Sequence, residues 1–262
     1  WVIDEANEDL DKFATILYDL GVQVYRPDRL PQAVVFNSPL GWSSDGLHNY
    51  CPRDSLFVWG DTVIETPCPL RARYFEHAAY KSIRMASLGW EQGRWISAPR
   101  PLLTRDYYDT SDLTMPTITE QEPMFDAANL LKLDSEILYQ VSNTGNLAGA
   151  KWLRRVLREE VFVCPDVYSF AHIDTTIMPL RAGVVMLNAS RVKKVPECFE
   201  GWDVIWVGDG HIVDVPPPAT EGVAAYPQAS KWIGMNLMSY DEQTVIMSDD
   251  QPKLTKLLES CG

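Results

Sequence analysis

The chain of 262 residues is 46% hydrophobic and 23% charged, which excludes an intrinsically disordered protein and allows one large domain or two small ones. Its formal net charge of −13 disfavours phosphate backbones and anionic lipid, so we expect no nucleic acid and no membrane as partners. A small cationic substrate is compatible with this charge.

The first part of the chain is predicted to hold a helix, a short strand and a hairpin. Apolar residues recur at helical spacing over residues 4–20, and Gly21 is a plausible stop. The apolar residues 22–25 predict a short strand. Strands over 55–59 and 62–65 flank a Gly-Asp turn signal and therefore predict a hairpin.

A second helix is predicted over residues 70–88. Arg71, Arg73 and Glu76 are assigned to its polar side, which we expect to face solvent. The later predicted elements are a strand at 95–98, a loop at 107–119, a hairpin at 124–141, a helix at 146–158, a strand at 161–163, a hairpin at 173–187, a strand at 204–207, a loop at 208–222, a hairpin at 233–247 and a helix at 252–260.

The order of hairpin, helix and strand recurs along the chain, although no repeat of sequence is visible. Helices follow three of the hairpins, whereas Pro196 limits any helix after the hairpin at 173–187. No break in composition marks a domain boundary. The sequence therefore predicts an α/β fold of radially arranged ββαβ units, in a single domain over residues 1–262.

His172 and Asp174 form the first candidate for chemistry. If their segment is extended, alternation places both side chains on one face, where a proton-transfer group would lie beside a negative charge. Such a pair suits a site that binds a cation and moves protons on nitrogen. A structural histidine held in a turn is the commoner alternative.

Two further carboxylates stand at the starts of predicted elements. Asp126 lies among small and apolar residues, where it would orient an imidazole or only cap the next element. Asp54 precedes an apolar strand, where it would grip a planar guanidinium or be an ordinary surface acid. Arg191 would bind a substrate carboxylate or do nothing specific, and Ser230 would bind substrate or cap a helix.

The five cysteines have wide spacings and form no Cys-x-x-Cys pair, which indicates reduced thiols and a cytoplasmic protein. No nucleotide-binding glycine motif is present, and His48, His77 and His211 lack metal-ligand spacing. The sequence therefore predicts neither a cofactor nor a metal.

Four ordered motifs resemble the arginine:glycine amidinotransferase family of the pentein superfamily. They are Pro52-Arg53-Asp54 before a strand, Glu122-Pro123-x-Phe125-Asp126-Ala127-Ala128, His172-Ile173-Asp174-Thr175-Thr176 and Ser230-Lys231-Trp232-x-x-Met235-Asn236. The resemblance covers nearly the whole chain, and the histidine motif is especially similar to bacterial and cyanobacterial members of secondary metabolism. It implies a pentein α/β propeller, in which ββαβ modules surround a pseudo-fivefold axis.

The resemblance also implies a reaction. In the family, a cysteine thiolate attacks the guanidinium carbon of L-arginine, L-ornithine leaves, and an amine acceptor takes the amidino group. By matching positions, His172 would be the catalytic acid and base, supported by Asp126. The substrate-binding residues would be Asp54, Asp174, Arg191 and Ser230. The family further suggests a homodimer, and loops 37–49 and 107–119 are our candidates for selecting the acceptor.

The family's nucleophilic cysteine has no match in this sequence. In the family it lies near the C-terminus in a glycine-rich segment, a pattern that Cys261 does not fit. We therefore expect the first strands of the domain and the segment with the nucleophile, beyond Gly262, to lie outside this sequence. The alternatives are a guanidine hydrolase of the same superfamily and an inactive guanidino-compound-binding pentein.

Overall fold

The computed structural model describes residues 2–30, 35–45, 51–87, 93–104, 107–164, 166–213 and 230–262. The α-helices of these residues are α1 (Val2–Asp19), α2 (Pro52–Ser55), α3 (Lys81–Ser87), α4 (Leu147–Leu157) and α5 (Pro252–Ser260). Within the described ranges, no helix combines the length and the hydropathy that crossing a bilayer requires.

The strands are short and form separate sheets of two or three strands. They are β1 (Phe36–Asn37), β2 (Ser43–Ser44), β3 (Leu56–Trp59), β4 (Thr62–Glu65), β5 (Arg94–Ser97), β6 (Tyr108–Asp109), β7 (Thr117–Ile118), β8 (Leu130–Lys132), β9 (Glu136–Tyr139), β10 (Glu160–Val163), β11 (Ile177–Arg181), β12 (Val184–Asn188), β13 (Asp203–Val207), β14 (Met238–Ser239) and β15 (Val245–Ile246).

Three of the sheets share one topology. In β3–β4–β5, β8–β9–β10 and β11–β12–β13, the first two strands are antiparallel and the third runs parallel to the second. Each central strand carries a fully buried residue that opposes its partners on both sides: Ile64, Leu138 and Met186. A parallel third strand requires a crossover. The predicted ββαβ order is therefore confirmed in the described residues.

The crossovers differ in the way that the sequence predicts. α3 leads from β4 to β5, and α4 leads from β9 to β10. Between β12 and β13 the chain forms a 3-10 turn, Glu197–Phe199, directly after Pro196. The last hairpin, β14–β15, is followed by α5.

A short helical turn precedes the first strand of each hairpin that belongs to this recurring pattern. These turns are α2 before β3, Ala127–Asn129 before β8, Ile173–Thr175 before β11 and Ile233–Met235 before β14. Each turn contacts the next in this order. The four turns thus bring the starts of four structural units together, although the sheets themselves remain separate.

Two sequence predictions were wrong and one was incomplete. Residues 22–25 alternate in exposure, but they form no strand because they pair with no strand in the described part of the chain. The predicted helix at 70–88 is broken into the 3-10 turns Arg71–Arg73 and Glu76–Tyr80 and then α3. Residues 107–119, predicted as a loop, include the pair β6–β7. Residue 88 of the predicted helix and residues 214–222 of the predicted loop lie outside the described residues.

The expectation that Arg73 and Glu76 face solvent was also wrong. Both side chains are buried, with relative exposures of 7% and 2%. The pattern of charges was misleading because two opposite charges can be buried together when each satisfies the other.

Asn146 joins α4 to the segment that carries Asp126. As the N-cap of α4, its Oδ1 accepts from the backbone N–H of Gly149 (2.8 Å) and of Met124 (3.1 Å). Its Nδ2 donates to the carbonyls of Thr119 (2.8 Å) and Glu122 (2.7 Å). Asn146 is fully buried, so these four bonds satisfy its amide without water.

Replacement of Asn146 by alanine is expected to lower the free energy of unfolding by about 2–4 kcal/mol, because a cap and several buried hydrogen bonds are lost together. Urea unfolding monitored by circular dichroism measures this change. Asn146→Asp would place a carboxylate oxygen against the carbonyls of Thr119 and Glu122 in a fully buried position, so we expect a loss at least as large. Equal stability of Asn146→Ala and the native chain would show that the amide does not hold these segments together.

Candidate active site

Four of the six predicted site residues lie at or beside three of the helical turns. Asp54 lies within α2, Asp126 stands at the N-cap of Ala127–Asn129, and His172 stands at the N-cap of Ile173–Thr175. Asp174 lies inside that last turn. The assumption that residues 172–174 are extended was therefore wrong, because a 3-10 turn replaces the strand there. The contacts between successive turns bring the four side chains together all the same.

The imidazole of His172 lies between two carboxylates. Its Nε2 is 3.0 Å from Asp126 Oδ2, and its Nδ1 is 3.8 Å from Asp54 Oδ1. The Asp126 side chain is completely buried, whereas the His172 side chain retains 24% of its exposure. A histidine held by one buried carboxylate and still partly open has the arrangement of an oriented acid or base.

The carboxylates raise the pKa of His172 to about 9. Burial alone would lower this pKa, but the hydrogen bond and charge of Asp126 outweigh it, with smaller contributions from Asp54 and Asp174. The imidazole is therefore protonated at neutral pH. Burial raises the pKa of Asp174 from its ordinary value, while the charges of His172 and Arg53 oppose that rise.

We expect the stability of the protein to depend on His172 in alkaline solution. The pKa of His172 in the folded chain lies above its ordinary value of 6.5, so protonation favours folding. This contribution is complete below pH 6.5 and is lost as the pH rises through about 9. The native chain should lose about 1–3 kcal/mol of unfolding free energy over this interval that His172→Asn does not lose.

Nuclear magnetic resonance provides a direct measurement of the same group. The chain contains 4 histidines, and His172→Asn identifies the resonance that belongs to position 172. If the resonance of His172 in the native chain titrates with a midpoint near the ordinary pKa of a histidine, the result would contradict the described geometry.

One oxygen of Asp126 accepts no hydrogen bond from the described residues, although it is fully buried. Oδ2 binds His172, and Oδ1 is left without a partner of normal geometry. The thiol of Cys68, a weak donor, lies near this carboxylate; burial and the charge of Asp126 raise the pKa of the thiol. An unsatisfied carboxylate oxygen at the site is an acceptor for a ligand that carries N–H donors.

Arg191 and Ser230 are brought together next to the same turn. Arg191 Nη1 donates to the hydroxyls of Thr175 (2.8 Å) and Thr176 (2.9 Å), and its Nη2 donates to Ser230 Oγ (3.1 Å). Ser230 Oγ also accepts from the backbone N–H of Trp232, but it does not cap the following helical turn, whose N-cap is Trp232 and which has no side-chain cap. Burial lowers the pKa of Arg191.

A buried polar network that was not predicted from the sequence fixes the backbone before His172. Gln140 Nε2 (2.9 Å) and Ser142 Oγ (2.7 Å) both donate to the carbonyl of Ala171. Ser169 Oγ donates to the carbonyl of His172 and lies 2.6 Å from Gln140 Oε1. These residues come from the segment directly after β9 and from the loop before His172, so spacing along the chain carries no signal of their contact.

Three further residues belong to the site: Asn236 and Arg53 were in the quoted motifs but were given no role, and Arg73 lies outside those motifs. Asn236 Nδ2 lies 3.4 Å from Asp174 Oδ2, and Arg73 Nη1 lies 2.7 Å from Asp54 Oδ2. Arg53 contributes a second positive charge that acts on Asp174 and Asp54. No cluster of side chains suited to a metal ion is found in the described ranges.

Comparisons with known proteins identify relatives of this chain. No family model matches the chain. The chain is 38% identical over 265 residues to inosamine-phosphate amidinotransferase 1 of Streptomyces griseus, covering 100% of this chain and 74% of the relative. It is 36% identical to L-arginine:L-lysine amidinotransferase of Pseudomonas savastanoi pv. phaseolicola, covering 99% and 72%.

Solved structures show the same relationship. An inosamine-phosphate amidinotransferase from Streptomyces griseus superposes with a TM-score of 0.89 at 38% identity, over 99% of this chain and 73% of that one. An amidinotransferase of the saxitoxin pathway from Microseira wollei gives 0.84 at 30% identity, over 99% and 76%. A dimethylarginine dimethylaminohydrolase shares the fold alone, with a TM-score of 0.55 at 13% identity over 82% of this chain and 68% of that chain. The chain belongs to the amidinotransferase family.

Proposed function

We propose that this protein transfers the amidino group of L-arginine to an amine acceptor and releases L-ornithine. The observation that carries this proposal is the imidazole of His172, held between Asp126 and Asp54 with Asp174 on the same turn. Carboxylates attract a guanidinium cation and match its fork of donors. A protonated imidazole supplies the proton that a departing amine needs.

In this proposal the three aspartates bind the guanidinium of arginine. Asp126 Oδ1 and Asp54 Oδ1 are the oxygens that face away from their strongest protein partners. Asp174 adds a third carboxylate with little exposure. Arg191, together with Ser230, would bind the carboxylate of the amino acid at the other end of the substrate, because a guanidinium binds a carboxylate through paired hydrogen bonds.

The reaction proceeds in two half-reactions that share one acid–base group. A cysteine thiolate attacks the guanidinium carbon, the bond from that carbon to the ornithine nitrogen breaks, and His172 gives its proton to that nitrogen. The acceptor amine then attacks the amidino-cysteine. Its proton passes to His172, the bond from carbon to sulfur breaks, and the thiolate is restored.

We propose that the nucleophile is a cysteine C-terminal to Gly262, because the thiols nearest the site have the wrong chemistry. Burial and Asp54 raise the pKa of Cys51 to about 11, and burial with Asp126 raises that of Cys68. Cys164 and Cys198 lie in another part of the core, with pKa values raised to about 12 and about 11 mainly by burial. An activated nucleophile has a lowered pKa.

Mass spectrometry of the native full-length polypeptide tests both parts of this proposal. Incubation with L-arginine and no acceptor should release about one equivalent of ornithine and leave an amidino group on one cysteine, as expected for an enzyme that works by covalent catalysis. Addition of an amine acceptor should remove the adduct and allow turnover. Peptide mapping identifies the modified cysteine.

Each alternative outcome of this experiment contradicts a specific part of the proposed function. An adduct on Cys51 or Cys261 would overturn the position of the nucleophile. Formation of citrulline or urea without an acceptor would indicate a guanidine hydrolase. Binding of arginine with neither ornithine nor adduct would indicate an inactive guanidino-binding protein.

The same reasoning extends to architecture and acceptor choice. Contacts between successive helical turns support a pseudo-fivefold propeller of ββαβ modules in one domain, which we propose as the finer fold. We propose that segments 37–49 and 107–119 shape the acceptor position, although residues 46–49 lie outside the described ranges. Tyr168 Oη donates to the carbonyl of Pro116 (2.8 Å), which joins the second segment to the loop before His172. The homodimer and the cytoplasmic location stay predictions.

A further inference from the structure

Arg73 is a buried cation that the proposed chemistry does not use. It lies in the 3-10 turn Arg71–Arg73 after β4, with 7% of its surface exposed. Its Nη1 donates to Asp54 Oδ2 at 2.7 Å, and its Nη2 donates to the carbonyl of Cys51 at 3.2 Å. Nε donates to both carboxylate oxygens of Glu76 at 3.0 Å.

These contacts determine which oxygen of the Asp54 carboxylate faces His172. Because Arg73 holds Oδ2, the other oxygen, Oδ1, is the one that lies 3.8 Å from His172 Nδ1. The bond to the carbonyl of Cys51 fixes the backbone one residue before α2. Arg73 therefore fixes both the side chain of Asp54 and the turn that carries it.

Glu76 and Ser55 hold Arg73 in turn. Glu76 is 2% exposed and Ser55 is 1% exposed, and Ser55 Oγ donates to Glu76 Oε2 at 3.0 Å. Burial raises the pKa of Glu76, but Arg73 and Ser55 oppose this rise. Burial lowers the pKa of Arg73, yet Glu76, Asp126 and Asp54 outweigh burial, so the net pKa is raised and the guanidinium stays charged.

We propose that Arg73 is a positioning residue that orients the Asp54 carboxylate toward the guanidinium of the substrate, with Glu76 as its buried anchor. The identity of the ligand rests on the proposed function. Arginine is required at position 73 because its planar fork reaches Glu76, Asp54 and a carbonyl at once. A lysine provides a single charged point and cannot maintain all three directions.

The test uses a double-mutant cycle between Arg73 and Asp54. We call the pair of Arg73 and Glu76 the clamp. The double variant Arg73→Gln/Glu76→Gln removes the clamp without leaving the charge of either residue buried and unpaired with the other. It is compared with Asp54→Asn and with the triple variant, after each is shown to unfold cooperatively. Arg71→Gln is the matched control, because Arg71 lies on the same turn but donates to the carbonyls of Leu103 and Thr104.

Calorimetry with L-arginine should show that Arg73→Gln/Glu76→Gln binds at least about tenfold more weakly than the native chain, the equivalent of one charge-assisted hydrogen bond. The triple variant should bind no more weakly than Asp54→Asn alone, because the clamp acts through Asp54. Arg71→Gln should bind as the native chain does. If the double variant does not fold, Arg73→Lys, which keeps the charge beside Glu76, takes its place with the same expectation.

The proposal would be overturned if a folded clamp variant bound L-arginine with the affinity of the native chain. It would also be overturned if loss of the clamp weakened L-arginine binding equally in the presence of Asp54 and in the Asp54→Asn background. If the native chain fails to bind arginine, the proposed function fails, but the titration of His172 by nuclear magnetic resonance still decides the role of Arg73. The shift of the His172 pKa caused by Asp54→Asn should be at least halved when the clamp is absent. An equal shift in both backgrounds would show that Arg73 does not position Asp54.

Discussion

Replacement of Asp126 by asparagine is expected to lower the rate of ornithine release from L-arginine by about 100- to 10,000-fold, the range that a positioned acid or base contributes. Asparagine has nearly the same shape but no charge, so it cannot stabilise the imidazolium of His172 at 3.0 Å. The pKa of His172 should then fall from about 9, because the largest favourable contribution to it is lost. The rate is measured with the native full-length polypeptide.

The matched control for this substitution is Asp134→Asn. Asp134 is exposed in the turn between β8 and β9, so the control removes the same charge from the same structural unit without touching the site. It should leave the rate within about twofold, as is usual for a surface substitution. A rate for Asp126→Asn within threefold of the native rate, with His172→Asn inactive, would show that the carboxylate does not support the imidazole.

Removal of the Asp174 carboxylate is expected to weaken the binding of L-arginine by about 10- to 150-fold, the loss of a hydrogen bond to a charged group. Asp174 is only 6% exposed, and Asn236 Nδ2 donates to its Oδ2 at the long distance of 3.4 Å. A backbone N–H bond of its own residue is the other hydrogen bond to this carboxylate within the described residues, which leaves it capacity to accept from a ligand. Calorimetry of Asp174→Ala with L-arginine measures the change.

L-ornithine provides the internal control for this second prediction, because it has the amino acid end of arginine but no guanidinium. Asp174→Ala should reduce the preference for arginine over ornithine and leave ornithine binding little changed. Asp203→Asn, on the exposed start of β13, removes the same charge outside the site and should preserve the preference. If Asp174→Ala weakened the binding of L-arginine and of L-ornithine equally, Asp174 would not lie beside the guanidinium.

Much of the fold could be predicted because its elements carry local signals. The helix at 252–260 coincides with α5, the hairpin at 55–65 has the predicted Gly-Asp turn, and β11–β12 corresponds to the hairpin predicted at 173–187. Asp54, Asp126, His172 and Asp174 were identified because ordered motifs surround them. The absence of a full helix after β12 was also predicted, because Pro196 restricts the backbone there.

The remaining features depend on contacts between distant segments. Arg73 and Glu76 have the sequence pattern of a solvated helix face, and only the position of Asp54 from another turn explains their burial. The short turns before the first strands were missed because three residues are too few for a periodic signal. The same turn geometry replaced the extended conformation expected for His172 and Asp174.

The buried oxygen of Asp126 that accepts no hydrogen bond makes the ligand-free protein less stable than its core would allow. Such a group costs about 1–3 kcal/mol, and the nearby carboxylates of Asp54 and Asp174 add mutual repulsion. A bound guanidinium would relieve both effects. Selection for thermal stability alone should therefore favour a neutral residue mainly at position 174, because Asp126 and Asp54 also stabilise the cations of His172 and Arg73.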